Sequence, residues 1–178
     1  MDEIVAKTSQ QAFKEYRKKN FLAARDGFQQ CVDLLVKDGD EKDLAEMRNN
    51  LSVTLTDLQE WQQAYDTVAG TEAVFEKLGD YKSQAMALAN LGTALQGLGR
   101  KEEALAAFEK SSDLFKTTGE KLMRATVLKK ISDLQLTSGK PLQALASMQA
   151  SYDQKEKKSC KDKVLNTALG QYLQRLIR

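Results

Sequence analysis

The sequence predicts an all-α protein assembled from repeated pairs of helices, and three observations lead to this prediction. The 178 residues include a single proline and 7% aromatic residues, while alanine, leucine, lysine, glutamate and glutamine are abundant, which favours helices. Apolar residues recur at intervals of three and four, as in ALANLGTAL at 87–95, which is the spacing of an amphipathic helix. The same residue types also return every forty residues, so we expect the helices to form a regular array.

The forty-residue period is carried by several independent series of residues in one register. A glycine followed by an acidic residue stands at 39, 79 and 119, with Ser159 in the fourth place. Four further series keep the interval: Ala24, Ala64, Ala104 and Ala144; Phe28, Val68, Phe108 and Met148; Ala12, Ser52, Gly92 and Ser132; and Leu51, Leu91 and Ile131. We therefore predict a single domain over 1–178, with four repeats at about 1–38, 39–78, 79–118 and 119–158 and a terminal helix at 160–178.

Each repeat is expected to be one helix pair with turn residues between its helices. Gly99 and Gly139 suit the left-handed conformation that ends a first helix, and Pro141 suits the first turn of the helix that follows. The glycines at 39, 79 and 119 end the second helices. In chain order the predicted helices lie at about 3–18, 21–37, 41–58, 61–77, 81–98, 101–117, 121–138 and 141–157, with a ninth from 161 to the end.

The repeated small residues have a steric explanation. Glycine inside a helix costs about 1 kcal/mol relative to alanine, so Gly92 needs a reason to be there. We expect Gly92 and its counterparts to lie where the first helix of a pair crosses the second, facing Ala104 and its counterparts. Small residues on both sides allow the two backbones to approach closely.

Several classes of function find no support in the residue types present. The chain has no histidine and no phosphate-binding loop of the GxGxxG or GxxxxGK[ST] kind, so we expect no enzyme, no metal site and no cofactor. Cys31 and Cys160 lie far apart without CxxC spacing and are interpreted as free thiols, Cys31 as a packing residue. No apolar stretch is long enough to span a bilayer and the opening MDEIVAKTSQ is acidic and polar, so we predict a cytoplasmic protein.

The third repeat resembles the repeats of a known family. Leu91-Gly92, Ala104, Phe108 and Ser111 resemble the tetratricopeptide repeat consensus, and the resemblance extends over all four repeats. It implies a right-handed α-solenoid of four helix pairs with a C-terminal capping helix. The period is forty residues where the family's is about 34, and the extra residues fall between Phe108 and Ser132. That longer period and the strings at 49–51 and 90–92 are most similar to the repeats of kinesin light chains and of GoLoco- and rapsyn-type adaptors.

The resemblance also implies a binding surface, since stacked helix pairs form a superhelix whose concave groove is lined by the first helix of every pair. The family's ligand-facing positions fall on Phe13, Tyr16, Arg17, Asn50, Val53, Asp57, Asn90, Thr93, Lys129, Lys130 and Asp133.

The chemistry of these positions leaves alternatives open. Asn50 and Asn90 share one repeat position, where amides would grip the backbone of a peptide or else hydrogen-bond a neighbouring helix. Arg17, Lys129 and Lys130 would bind carboxylate or phosphate, or would form a solvated face. Phe13 and Tyr16 would contact a ligand or cap the first repeat. The single tryptophan, Trp61, is interpreted as cover for the core or a turn rather than as a ligand platform.

Charge is distributed unevenly along the chain. Residues 1–120 contain 15 Lys and Arg against 21 Asp and Glu, a net charge of −6, whereas residues 121–178 contain 12 against 4, a net charge of +8. The densest basic patch, with Lys155, Lys157 and Lys158, would meet an acidic protein, an anionic lipid surface or another copy of the chain, or would only aid solubility. Nucleic acid is the least favoured partner, because the patch has no interleaved aromatic residues.

The final predicted helix carries an apolar stripe that reaches its end. Part of the stripe is expected to cap the last repeat, and the rest to contact a partner or form a homodimer, unless the chain continues beyond Arg178. The residues assigned to this self-association or partner helix are Tyr172, Leu173, Leu176 and Ile177.

Two functions remain after these exclusions. The sequence favours a non-catalytic adaptor or scaffold that binds a partner peptide or helix in its groove. The alternative is a membrane-surface or self-assembly scaffold that acts through the basic C-terminal third and the apolar last helix.

Overall fold

The computed structural model describes residues 3–38 and 40–154, and every regular element in these residues is an α-helix. In chain order the helices are α1 (Glu3–Arg17), α2 (Phe21–Asp38), α3 (Glu41–Asp57), α4 (Trp61–Val68), α5 (Thr71–Lys77), α6 (Tyr81–Gly97), α7 (Lys101–Thr117), α8 (Lys121–Thr137) and α9 (Pro141–Asp153). This confirms the predicted all-α repeat fold. The predicted helix at 160–178, with Tyr172, Leu173, Leu176 and Ile177, lies outside the described residues, as do Cys160 and the basic patch at 155–158.

The eight helices predicted before residue 160 all begin at the predicted residue. Residues near these starts explain the agreement: the Asp40 side chain accepts hydrogen bonds from the N–H groups of Lys42 and Asp43, and Asp80 accepts one from Ser83. The turns match as well, because Gly99 and Gly139 have positive φ angles of 75° and 73°. The forty-residue period therefore locates helix boundaries as well as helices.

The prediction of one continuous helix over 61–77 is wrong. Helix α4 ends at Val68 and α5 begins at Thr71, because Ala69 is extended and Gly70 adopts the left-handed conformation with φ 86°. The Thr71 hydroxyl then donates a buried hydrogen bond of 2.8 Å to the carbonyl of Val68. Gly70 occupies the repeat position that Gln30 and Lys110 hold inside unbroken helices, so the glycine permits a local break that the other repeats do not have.

The chain divides into two compact units between Ala104 and Leu105, and each is described by itself. In the first unit, α3 packs against α2, α4, α5 and α6, while α1 packs chiefly against α2. Among the first helices of three successive pairs, α3 packs against α6, and a hydrogen bond from Tyr16 to Asp57 connects α1 to α3. The predicted single domain over 1–178 stays a prediction.

Small residues bring the helices of the first pair together. A Cβ atom added at Gly27 in α2 would lie 2.8 Å from the Cβ of Ala12 in α1, which is too short for two non-bonded carbon atoms. Ala12 belongs to a hydrophobic core whose large buried members include Phe28, Leu35 and Leu51. Gly92 and Ala104 are buried in their own repeat, as the steric explanation requires.

The second unit contains most of α7 together with α8 and α9, and hydrogen bonds join α8 to α9. The Ser132 hydroxyl donates a hydrogen bond of 2.7 Å to the carbonyl of Ala144, which confirms that these two repeat positions face each other. The Ser151 hydroxyl donates a second hydrogen bond, also of 2.7 Å, to the carbonyl of Ala125.

Cys31 holds the repeat position of Ser151 in the first pair. Its thiol lies 3.7 Å from the carbonyl of Val5, the counterpart of Ala125. The thiol is buried and free, and burial raises its pKa. Cys31 is therefore a packing residue, as the sequence predicts, with a weak bond from the second helix to the first.

Candidate binding face of the first helices

Eight of the predicted groove residues lie on α1, α3 and α6, all in the first unit, and we call this set of residues the first-helix face. Hydrogen bonds connect α1 to α3 and α3 to α6 within it. Its residues are Phe13, Tyr16 and Arg17; Asn50, Val53 and Asp57; and Asn90 and Thr93. Lys129, Lys130 and Asp133 lie on α8 in the second unit and are described separately.

Tyr16 connects α1 to α3 within this face. Its hydroxyl donates a 2.7 Å hydrogen bond to Oδ2 of Asp57, and its ring packs 5.5 Å from the ring of Phe21. Partial burial, followed by the hydrogen bond and the negative charge of Asp57, raises the pKa of Tyr16 to about 12. Tyr16 and Asp57 therefore form part of the fixed structure of the face.

A pair of asparagines makes the equivalent connection between α3 and α6. Nδ2 of Asn90 donates a 2.7 Å hydrogen bond to Oδ1 of Asn49, which is only 6% exposed. In both connections the two residues are 41 positions apart, one repeat plus one residue. Asn90 thus bonds to a neighbouring helix, the alternative interpretation of its amide, and ligand contact by Asn90 stays a prediction.

Asn50 differs from Asn90 although both hold the same repeat position. Its side chain is half-buried and makes no hydrogen bond to the described residues, while its carbonyl accepts one from the Thr54 hydroxyl at 3.1 Å. The Asn50 amide is therefore a polar group of the face whose donors and acceptor remain open to a ligand.

The first-helix face is apolar on α1 and α3 and becomes polar on α6. Phe13 is 39% exposed even though its ring stacks edge-to-face on Phe28, with centroids 4.9 Å apart. Val53 is half-buried at the same repeat position. Thr93 follows in α6, with its hydroxyl turned back 2.9 Å to the carbonyl of Ala89. An apolar ligand group would find its contacts at Phe13 and Val53.

Charge changes sign along the helices that carry the face. Lys7, Lys14 and Arg17 lie on α1, whereas acidic side chains, among them Asp43 and Glu46, gather near the start of α3, close to Asp80 at the N-cap of α6. Among these, burial raises the pKa of Glu46, and Asp43 and Asp80 add to the rise although Lys42 lies 3.9 Å away. A bound peptide would therefore meet different charges on α1 and at the starts of α3 and α6.

Trp61 covers the end of α6 and is not an exposed platform. It is half-buried at the start of α4, and its indole lies where the Cβ of any residue other than glycine would stand at position 97. Gly97 is therefore needed for the contact, and the interpretation of Trp61 as cover for a turn agrees with the structure.

In the second unit, the predicted residues of α8 have different surroundings. Lys130 is half-buried, with Nζ 5.7 Å from the centre of the Phe108 ring, and burial lowers its pKa against the opposing charge of Asp133. Lys129 lines a shallow cavity of about 450 Å³ together with Leu122, Met148 and Tyr152.

Residues 3–38 and 40–154 contain neither a membrane-spanning helix nor a cluster of metal ligands. No helix in this part of the chain has the length and apolar character needed to cross a membrane. No group of three or more Asp, Glu or Cys side chains in it is arranged to hold a metal ion.

Solved structures of other proteins share this fold at low sequence identity. Aspartyl phosphate phosphatase F from Bacillus subtilis aligns with a TM-score of 0.73 at 13% identity, over 98% of this chain and 51% of its own. The apo form of RapI aligns with a TM-score of 0.75 at 12% identity, over 97% of this chain and 53% of its own. The chain thus spans about half the length of these two proteins.

A putative kinesin light chain with TPR-like repeats from Podosopora anserina aligns over its whole length. The TM-score is 0.57 at 12% identity, with 100% of this chain and 99% of the other covered. At such identities the likeness concerns the fold alone.

Sequence comparison identifies the family directly. A search of curated proteins finds no significant match. A family model for the tetratricopeptide repeat matches residues 43–117 and again residues 83–157. These overlapping matches cover well over half of the chain, which therefore belongs to the tetratricopeptide repeat family.

Proposed function

We propose that this protein is a non-catalytic adaptor that binds a peptide or helix of a partner protein on its first-helix face. Membership of a repeat family whose members generally bind proteins supports a role in protein interaction, and the chemistry of the face supports the location. The cytoplasmic location inferred from the sequence belongs to the same proposal.

The observation that carries the proposal is the contrast between occupied and open groups on this face. Tyr16 is hydrogen-bonded to Asp57, and Asn90 is hydrogen-bonded to Asn49. These two bonds connect neighbouring helices and hold the surface in one arrangement. Between these bonds the face leaves uncommitted groups: the apolar surface of Phe13 and Val53 and the amide of Asn50. A preorganised surface with an apolar centre and an open amide suits a polypeptide, because little ordering of the protein opposes binding.

A displayed peptide library tests this proposal because it presents many different peptide sequences to the face at once. We expect random peptides of about 16 residues on phage to yield binders, whose synthetic versions bind in fluorescence anisotropy. Val53→Arg and Asn50→Ala should each weaken binding at least about tenfold. Gln63→Arg introduces the same side chain on an exposed position of α4 and should leave binding unchanged. Binders that are equally sensitive to Gln63→Arg, or insensitive to both face variants, would contradict the proposal.

A second candidate function rests on the charge and apolar pattern of the C-terminal third. Its net charge of +8 and the stripe that includes Tyr172, Leu173, Leu176 and Ile177 favour attachment to an anionic membrane or to a second copy of the chain. Lys129, Lys130 and Asp133 would then serve that surface.

Two measurements address this second candidate. We expect co-sedimentation with vesicles rich in phosphatidylserine to be lost when Lys155, Lys157 and Lys158 are changed to glutamate. Light scattering of wild type and Leu173→Ser measures self-association. A protein that stays monomeric and ignores the vesicles would rule out this candidate while leaving the adaptor proposal intact.

A further inference from the structure

One side of α1 carries a basic strip. Six side chains of this helix line a shallow cavity of about 540 Å³ there. The residues of the basic strip are Lys7, Gln10, Gln11, Phe13, Lys14 and Arg17.

The strip belongs to a helix with few packing neighbours. α3 packs against four other helices, whereas α1 packs chiefly against α2. Phe13 remains 39% exposed in the middle of the strip, although its ring is fixed edge-to-face on the buried Phe28. A rigid aromatic side chain framed by charged groups is the usual anchor of a protein interface.

Few ion pairs compensate the positive charges of the strip, although Lys14 helps to lower the pKa of the neighbouring Glu15 carboxyl. Lys14 and Arg17 form no ion pair with the described residues. Lys7 pairs with Glu3 at 2.7 Å, but both side chains are at least 75% exposed, so the pair is readily exchanged for another carboxylate. The strip therefore complements an acidic partner.

The shape of the strip indicates what kind of acidic partner fits. Its side chains follow one another at helical spacing along a single helix, and Lys7 and Arg17 are about 15 Å apart along the axis. Such ridges of side chains interlock with the ridges of a second helix, whereas an extended peptide needs two walls or an open strand edge.

We propose that the basic strip binds an acidic amphipathic helix of a partner protein. The apolar side of that helix packs on Phe13, and its flanking carboxylates pair with Lys14 and Arg17. This inference rests on the proposed function, since Phe13 and Arg17 are shared with the first-helix face, and it names the chemistry of the partner. A membrane surface is disfavoured because the strip exposes one aromatic ring between amides and cations, and a membrane-bound helix needs a broad apolar side.

The test uses the full chain and a designed peptide as probe. The peptide is a fluorescein-labelled amphipathic helix of about 18 residues with leucines on one side and glutamates beside them; its partner peptide has lysine for every glutamate. We expect the glutamate peptide to bind and the lysine peptide not to bind. Affinity should fall as NaCl is raised from about 0.05 to about 0.3 M, because exposed charges are screened.

Charge reversal identifies the site of binding. The double variant Lys14→Glu, Arg17→Glu should weaken binding of the glutamate peptide at least about tenfold and allow the lysine peptide to bind. Phe13→Ala should weaken binding of the glutamate peptide about fivefold. The matched control, Lys37→Glu with Lys77→Glu, makes the same change in net charge on exposed positions of α2 and α5 and should leave binding unchanged. Circular dichroism checks that each variant is folded.

Other outcomes would overturn the inference. These are no binding of the glutamate peptide, equal binding of both peptides, equal loss in the control variant, or strip-dependent binding of phosphatidylserine vesicles without binding of the peptide. Library peptides that depend on Val53 and Asn50 but not on Lys14 and Arg17 would refute this inference and leave the adaptor proposal standing. Loss of all peptide binding would refute both.

Discussion

The guanidinium carbon of Arg100 lies 4.7 Å from the centre of the Tyr65 ring, in a cation–π contact between the second helix of one pair and the turn of the next. One repeat earlier, the same two positions hold Arg25 and Glu60, whose side chains form an ion pair of 3.2 Å. The array therefore keeps the place of this connection between pairs while its chemistry changes.

Exchanging the chemistry of one connection for that of the other tests whether they are equivalent. We expect Tyr65→Arg and Arg100→Glu each to lower the melting temperature. The first change places two guanidinium groups together, and the second places a carboxylate against the Tyr65 ring. The double variant should recover part of the loss, since it recreates the pair of Arg25 and Glu60. Thermal unfolding by circular dichroism measures all four proteins. Strictly additive losses would show that the two positions do not interact.

The turn after α3 places a residue other than glycine in the left-handed region. Gln59 has φ 61° at the position where Gly99 and Gly139 stand in later repeats. A left-handed conformation costs about 1–2 kcal/mol for most residues and nothing for glycine, although glycine loses more entropy on folding. We expect Gln59→Gly to raise the free energy of unfolding by about 0.5 kcal/mol.

A matched substitution checks this interpretation of the turn. Gln63→Gly makes the same change four residues later, inside α4, and should lower the free energy of unfolding by about 1 kcal/mol. Urea denaturation of the two variants and wild type measures both effects. If the two variants lose stability equally, the left-handed strain at Gln59 is absent.

The forty-residue period predicted the fold well because it averages over local variation. All eight helix starts followed from residues that recur in register, such as Ala24 and Ala64, and from the turn glycines. The same averaging concealed the break at Gly70, because the other repeats have no glycine there and the left-handed state of one residue decides the outcome. Local backbone freedom prevailed over the repeated pattern at this one position.

The candidate site was predicted by position, and its internal bonds were not. Aligning the repeats pairs Asn50 with Asn90, but side-by-side helices are offset by one residue, so Asn90 meets Asn49 instead. The neighbouring asparagines at 49 and 50 were the available signal for that bond. The partner itself cannot be read from the residues that build the fold, because the same stacked helices serve many ligands.

Alkaline titration tests the bond between Tyr16 and Asp57. Because the pKa of Tyr16 is raised to about 12, its contribution to stability is complete below the unfolded value near 10 and is lost as the pH rises through 12. We expect Tyr16→Phe to lower the free energy of unfolding by about 1 kcal/mol at neutral pH and to differ less from wild type near pH 12.

Tyrosinate absorbance gives an independent readout of the same bond. The chain has five tyrosines, and one late-titrating group should disappear from the absorbance curve of Tyr16→Phe. Tyr81→Phe is the control, since Tyr81 is 53% exposed, and it should leave the late step in place. A late step that survives in Tyr16→Phe would show that another tyrosine is responsible.

The contact between Trp61 and Gly97 makes the only tryptophan a reporter of how successive pairs pack. A methyl group at 97 would occupy the space of the indole, so Gly97→Ala forces Trp61 to move towards water. We expect a red shift of the fluorescence emission and a loss of about 1–3 kcal/mol in the free energy of unfolding. Gly119→Ala is the control, because a Cβ there meets no neighbour and its cost comes from the positive φ of 76° alone. That variant should lose stability without a change in emission, whereas unchanged emission in Gly97→Ala would mean that Trp61 does not cover this end of α6.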